Sequence, residues 1–317
     1  VILFMFNKSK KLAILLSSYN GEQFIEQQLQ SLIDMKADFI FDIHIRDDGS
    51  SDKTCETIKK FSQKHANIHL YEENNVGVIA SFLWLVEKVS GYDYYAFCDQ
   101  DDFWQPLKAL AAIDKFEKHE EITPLVYCSA YDYVDQNLNF IGRFTSKSNF
   151  SPSNLLIENC APGCTMLFNS ALREKYLSIS AANISNRVVM HDWLFLLLGL
   201  HFGMVIYDRN SYLLYRQHAN NVIGKKSGLL PIFRSKYKQF IKECKRPQHL
   251  LYLQNELFSD ITSGQVNSLT HKLSCSFVSA QRNFYSRAKF AFSGKIKRIR
   301  KVDDLIFKIL FVFGYYK

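Results

Sequence analysis

The stretch Tyr94-Tyr95-Ala96-Phe97-Cys98-Asp99-Gln100-Asp101-Asp102-Phe103-Trp104 decides the fold. A run of aromatic and β-prone residues stops abruptly in three carboxylates, and Pro106 follows shortly after. That pattern predicts a buried strand whose C-terminal tip emerges into a crevice. In an open α/β sheet, ligands bind at such tips. Three acidic side chains at one strand end repel each other unless a positive charge sits among them. Hard oxygen ligands suit Mg²⁺ or Mn²⁺, so a divalent cation answers the repulsion. An acidic turn capping the next helix is the plainer alternative, but one Asp would serve for that.

Working outward, strand and helix patterns alternate every 20–30 residues. Leu12–Leu16, Phe41–Ile45, Ile68–Tyr71 and Tyr94–Cys98 read as strands, with helices over Glu22–Met35, from Ser51 or Asp52 to about His65, and after Gly77. A helix over Leu107–His119 follows, then strands at Leu125–Cys128 and Thr165–Phe168. His191 opens a helix to Leu200, and Val205–Tyr207 with Tyr212–Tyr215 closes the sheet. Residues 139–160 read as irregular and polar, a candidate acceptor-side loop. Such alternation predicts an α/β fold, a mostly parallel sheet with helices on both faces.

Asp99-Gln100-Asp101-Asp102 followed by Trp104 resembles the acidic metal motif of family 2 glycosyltransferases, which have the GT-A fold. Further segments agree in order: Ser17-Ser18-Tyr19-Asn20-Gly21, Arg46-Asp47-Asp48-Gly49-Ser50-Ser51-Asp52, Gly163-Cys164-Thr165-Met166 and His191-Asp192-Trp193. Tyr215-Arg216-Gln217-His218-Ala219-Asn220-Asn221-Val222 is similar to a segment of the bacterial rhamnosyltransferases in that family that build cell-surface polysaccharide. The likeness covers roughly residues 11–224, with some continuation at Phe313-Gly314-Tyr315.

The resemblance implies roles residue by residue. Tyr19 would stack on a pyrimidine base, with Ser17 and Asn20 beside the ribose and base; the bland alternative is a polar turn in which Asn-Gly supplies positive φ. Asp48 would accept the base N3–H, while Asp52 reads as a helix cap. Asp99 and Asp101 would hold the cation on the donor diphosphate, Asp101 as principal ligand, with His218 completing the shell and Arg216 pairing with phosphate. A lone His is more often structural, which stays open for His218. Gly163 and Cys164 would wall the sugar, or simply start a strand. Asp192 would be the general base, or merely cap its helix. His191 would pair with Asp192 or touch the sugar, and Trp193 is placed at the substrate by the same segment.

The implied activity is an inverting single displacement that moves L-rhamnose from dTDP-rhamnose to a lipid-linked or growing surface glycan. Two other readings are a UDP-sugar or other nucleotide-hexose donor and a non-catalytic sugar-nucleotide-binding or scaffold subunit; intact Asp99, Asp101 and Asp192 count against the latter. No G-x-G-x-x-G and no P-loop is present, which counts against a standard dinucleotide enzyme or NTPase.

The chain has 317 residues, 47% of them hydrophobic and 15% aromatic, enough for one large domain and an appendage. Seven Cys without a CxxC pair predict reduced thiols and a cytoplasmic setting. Charge is uneven: residues 225–317 hold 19 Lys and Arg against 5 Asp and Glu, a net of +14. The whole chain has 39 and 31, which leaves 20 and 26 for the rest, a net of −6. This predicts a boundary at 224/225, with a GT-A domain over 1–224 and a basic, mainly helical region over 225–317.

In that region Phe233, Tyr237, Phe240 and Ile241 interleave with Arg234, Lys236, Lys238 and Lys242, and Lys295–Lys301 carries five basic residues before the apolar Leu305–Phe313. Such clusters predict contact with an anionic membrane surface, hence a peripheral protein at the inner face, rather than nucleic acid. The apolar stretches Trp193–Tyr207 and Leu305–Tyr316 are too short to span a bilayer, and Val1–Phe6 is too short for a signal sequence.

Overall fold

Leu12 to Leu16 are all fully buried, and the sheet is built on them. They lie in strand β1 (Lys11–Ser18). A strand apolar at every position is one covered on both faces. On one face Leu12, Ile14 and Leu16 join Ile25, Leu29 and Leu32 of helix α1 (Ile25–Ile33), with Ile43 and Ile45 of β2 (Ile40–Asp47). On the other, helix α3 (Val78–Lys88) brings Phe82 against Phe97 of β4 (Tyr94–Asp99), rings 5.4 Å apart and edge to face.

These contacts come from a computed structural model, which describes residues 10–179, 184–218, 248–265 and 268–317. Among them, helix α2 (Thr54–Lys64) and strand β3 (Ile68–Glu72) complete the first parallel half. The later elements are β5 (Phe103–Trp104), α4 (Lys108–Phe116), β6 (Leu125–Val134), β7 (Phe140–Phe144), α5 (Pro152–Leu155), β8 (Leu167–Asn169), α6 (Ser170–Ile179), α7 (His191–Phe202) and β9 (Met204–Arg216). The sheet order is β3-β2-β1-β4-β8-β6-β9-β5, with β7 on β6.

Strands β3, β2, β1 and β4 run parallel. The chain goes one way from β1 to β3, then returns to place β4 on β1's other side. That reversal opens a crevice at the C-terminal strand ends. There Ser17 of β1 sits opposite Asp99 of β4, and Ser18 opposite Asp47 of β2.

The expected α/β architecture is what the chain forms, with four differences. Phe140–Phe144 is not irregular: it pairs antiparallel with β6. Phe140, Ile141 and Arg143 are exposed and no residue of it is buried, so no buried apolar run marks it. β8 is antiparallel to both β4 and β6, and it begins at Leu167, because Gly163–Thr165 is a 3₁₀ turn. The two expected closing strands are one irregular strand, β9, with register shifts where it pairs β6. The helix after β2 starts at Thr54 with Lys53 at its N-cap position, while Asp52 accepts the Thr54 and Glu22 amides.

The chain divides into two compact units: residues 1–146, 161–178 and 202–218, and residues 147–160, 179–201 and 219–317. The first holds the sheet. The second contains α5, most of α7 and the helices α8 (Leu250–Ile261), α9 (Leu269–Ala280), α10 (Phe284–Ala291) and α11 (Lys301–Val312). Within it, the Asn255 amide donates to Leu156 O and Arg298 to Ile157 O, tying 147–160 to the helices. The expected boundary at 224/225 and the cluster Phe233–Lys242 lie outside the described residues. Among the described residues no helix is long and apolar enough to cross a membrane.

Candidate active site

The acidic turn is pinned at both ends. Before it, Asp99 ends β4; after it, Phe103 and Trp104 pair antiparallel with Leu214 and Leu213 of β9. Two residues on, β9 ends at Arg216, which is fully buried. The Arg216 amide donates to Asp102 Oδ1 at 3.1 Å, and its guanidinium donates to Asp101 O at 2.8 Å, to Gln27 Oε1 at 2.8 Å and to Gln136 O. Phe24 stacks over it at 4.6 Å. Three donors of the guanidinium thus meet carbonyl groups, and through them Arg216 braces the acidic turn.

Asp99, Asp102 and Cys164 bring one donor atom each within 4.8 Å of one another. Asp101 instead faces His218, Oδ2 to Nε2 2.7 Å. Asp102 is 1% exposed, and its Oδ2 has no hydrogen-bond partner among the described residues. Burial, then the charges of Asp101 and Asp99, pushes its pKa well above the carboxylate range. Burial and the Asp102 and Asp99 charges likewise push the Cys164 thiol far up. Asp99, Asp101 and Asp102 offer carboxylate oxygens at this turn, and His218 an imidazole. Those donors, with a buried carboxylate oxygen lacking a partner, fit a hard divalent ion.

At the β1 tip, Tyr19 and Asn20 are exposed and Ser17 is half-buried. Gln100 clamps Tyr19 by both backbone groups: the Tyr19 amide donates to Oε1 at 2.8 Å, and Nε2 donates to Tyr19 O at 3.0 Å. A Cβ on Gly21 would lie 2.2 Å from that Oε1, so a side chain there would displace the Gln100 amide from its clamp. Asn20 does adopt positive φ (47°), and its amide donates to Ser50 Oγ. Ser17 Oγ lies 2.6 Å from Ser81 Oγ.

Asp48 is buried, ion-paired with Arg46, and accepts the Val76 and Gly77 amides at 2.9 Å. Three of about four acceptor positions on its carboxylate are thus taken. It braces the loops after β2 and β3, and a base N–H would use the remaining position on Oδ2. Asp47 bonds Ser18 and Ser50.

Gly163 and Cys164 are buried in the 3₁₀ turn. His191, Asp192 and Trp193 open α7 in the second unit, and all three are buried. Asp192 Oδ1 accepts Asn159 Nδ2 at 3.1 Å and the Trp193 amide at 2.6 Å. Trp193 Nε1 donates to Leu155 O. Burial lowers the His191 pKa to about 3, so its ring is neutral.

Comparison with known proteins follows from this geometry. Residues 13–175 match the model of "Glycosyl transferase family 2". The chain is 31% identical over 232 residues to the dTDP-rhamnosyl transferase RfbG of Shigella flexneri, covering 71% of this chain and 77% of that protein. It is 26% identical over 225 residues to TuaG of Bacillus subtilis, named for teichuronic acid biosynthesis as a glycosyltransferase, covering 69% and 84%. The structure of S. aureus TarS residues 1–349 with UDP superposes with a TM-score of 0.54 at 15% identity, over 96% of this chain and 89% of that one; at that identity the likeness is one of fold.

Lys108 was not singled out by sequence reading. It occupies the apolar stripe of α4 with Ala112 and Phe116, four residues apart each time, and a cation on such a stripe is the signal. The side chain is fully buried; Nζ donates to Cys164 O at 2.5 Å and lies 3.3 Å from the centre of the Trp104 ring. Trp104 itself is core, 1% exposed. Burial lowers the Lys108 pKa to about 8, against the opposing pull of nearby thiols and of Asp102 and Asp99.

A lysine with a folded pKa below its unfolded one, about 10.4, binds fewer protons folded than unfolded between those two values. Below pH 8 it is charged in both states and its burial cost is present in full; above about 10.4 it is neutral in both. Stability therefore rises with pH across that window. Lys108→Met removes this titration. The unfolding free energy of Lys108→Met relative to wild type should fall by about 3 kcal/mol from pH 8 to pH 10.5, as measured by urea denaturation. A pH-independent difference contradicts the assignment.

Proposed function

This chain belongs to glycosyl transferase family 2, and on that premise we propose that it transfers L-rhamnose from dTDP-rhamnose, with inversion, to a lipid-linked or growing surface glycan at the inner membrane face. The observation that carries the reading is the acidic turn at the switch point of the sheet, with Asp101 on His218 and a buried Asp102 oxygen without a hydrogen-bond partner among the described residues. The 31% identity to a dTDP-rhamnosyl transferase supports the sugar.

Tyr19 stacks on the base and the Asp48 brace shapes the loop around it. Asp99, Asp101 and His218 would hold Mg²⁺ or Mn²⁺. The ion, when bound, supplies positive charge to the leaving diphosphate. Asp192 takes the proton of the acceptor hydroxyl as that oxygen bonds the anomeric carbon. The bond from that carbon to the diphosphate oxygen breaks, and its electron pair leaves with the dTDP. Asn159 and the Trp193 amide orient the Asp192 carboxylate through Oδ1. The basic C-terminal region holds the enzyme at an anionic surface.

The test is transfer by the purified chain from a panel of dTDP- and UDP-sugars, with Mn²⁺, Mg²⁺ or EDTA. dTDP-rhamnose should be the best donor, and chelation should abolish transfer until metal is restored. Preference for a UDP-hexose overturns the sugar assignment; full activity in EDTA overturns the metal assignment.

Asp192→Asn keeps the shape and the hydrogen bonds to Oδ1 but removes the basicity. Turnover should fall by about 10²–10⁴-fold, the usual share of general base catalysis, with donor affinity nearly unchanged by isothermal titration. Near wild-type turnover would make Asp192 a helix-end residue.

A further inference from the structure

Helix α11 is apolar on two sides. Phe307, Phe311 and Val312 point into the second unit, where Phe311 meets Phe277 at 5.0 Å and Phe290 at 5.5 Å. The outward side carries Val302, Leu305, Ile306, Ile309 and Phe313, from 45% to 75% exposed. Their spacing of three, four and seven makes one continuous stripe. A helix on a water-facing surface would put charge there. At its far end Phe313 lies beside Phe284, rings 6.2 Å apart, and Tyr285 and Phe292 are exposed at 75% and 62%. The patch thus continues onto α10.

Charge surrounds it on one sign. Residues 282–317 hold ten Lys and Arg against two Asp. Lys295, Lys297, Arg300 and Lys301 are exposed just before the stripe. Of the two Asp, Asp304 is engaged within the unit by Lys308 at 2.6 Å and by the Arg298 amide at 2.8 Å. A second copy of this chain would bring the same basic rim against itself. An anionic surface with an apolar interior matches both features.

We propose that the outward face of α11, extended by Phe284, Tyr285 and Phe292, inserts into the acyl region of an anionic bilayer, with Lys295–Lys301 on the headgroups. This deepens the membrane-facing part of the function proposed above and rests on it. Contact becomes hydrophobic insertion at a named face rather than electrostatic adhesion of a basic region.

The probes are vesicles of phosphatidylcholine with or without phosphatidylglycerol, read by flotation and by fluorescence of Phe313→Trp with acyl-chain-brominated lipid. Wild type should float with anionic vesicles, and Phe313→Trp emission should be quenched relative to the wild-type background. Ile309→Glu, at an exposed position that leaves the core intact, should lower the vesicle partition coefficient by about tenfold or more, from the loss of one buried aliphatic side chain and the gain of a charge. Replacing Lys295, Lys297, Arg300 and Lys301 by Gln should weaken binding and remove its salt dependence. Binding without quenching, wild-type binding by Ile309→Glu, or a wild-type dimer in light scattering that Ile309→Glu dissociates overturns the proposal. Donor turnover on a short soluble acceptor should be unchanged in every variant. Absent turnover in wild type with intact insertion would count against the transferase reading and leave the surface standing.

Discussion

The charge of Arg216 sits wholly inside the protein, and the acidic turn is built around it. A buried guanidinium must be met by acceptors on its fixed fork of donors. Here the acceptors are Asp101 O, Gln136 O and Gln27 Oε1, drawn from the acidic turn, the loop after β6 and helix α1. Its own amide meets Asp102. One residue therefore joins four segments of the first unit at the point where β9 ends. His218, two positions later, is carried by the same strand end onto Asp101. Removing one partner of a buried charge costs about 3–5 kcal/mol, so the turn cannot relax cheaply away from this geometry.

The opposite requirement also shapes the site. Asp99, Asp101 and Asp102 repel one another, and burial raises the pKa of Asp102 above its ordinary range. Arg216 and Lys108 provide positive charge from within the protein. Neither touches the Asp102 Oδ2 atom, which lacks a hydrogen-bond partner among the described residues. Lys108 spends its hydrogen bond on the Cys164 carbonyl and its charge on the Trp104 ring. The cluster is thus held in place with its acceptor capacity incompletely used, which is the condition for binding a cation strongly.

Sequence pattern revealed the strands that are buried on both faces, because Leu12–Leu16 and Tyr94–Cys98 are unbroken apolar runs ending in polar residues. It revealed the acidic turn for the same reason. It missed β7, whose Phe140–Phe144 is mostly exposed and pairs at one edge only. It did not reveal the bracing role of Arg216, whose carbonyl partners lie on segments far away in sequence. Lys108 and Gln100 escaped notice because their partners are backbone groups 56 and 81 residues away. No local spacing encodes such contacts. The exposed stripe of α11 was legible as apolar sequence, but its two faces separate only once Phe307 and Phe311 are seen to be buried.

The central claim is that Arg216 holds the acidic turn in a cation-binding arrangement. Equilibrium Mn²⁺ titration in the presence of a nucleoside diphosphate, wild type against Arg216→Lys, tests it most directly. Lysine keeps the charge but lacks the fork, so the account predicts wild-type binding of Mn²⁺ and at least about a tenfold weaker affinity in the variant, the worth of one misplaced charged hydrogen bond. Circular dichroism on the same samples should report an unchanged fold. Equal Mn²⁺ affinity in a folded Arg216→Lys protein, or no Mn²⁺ binding by wild type, would contradict it.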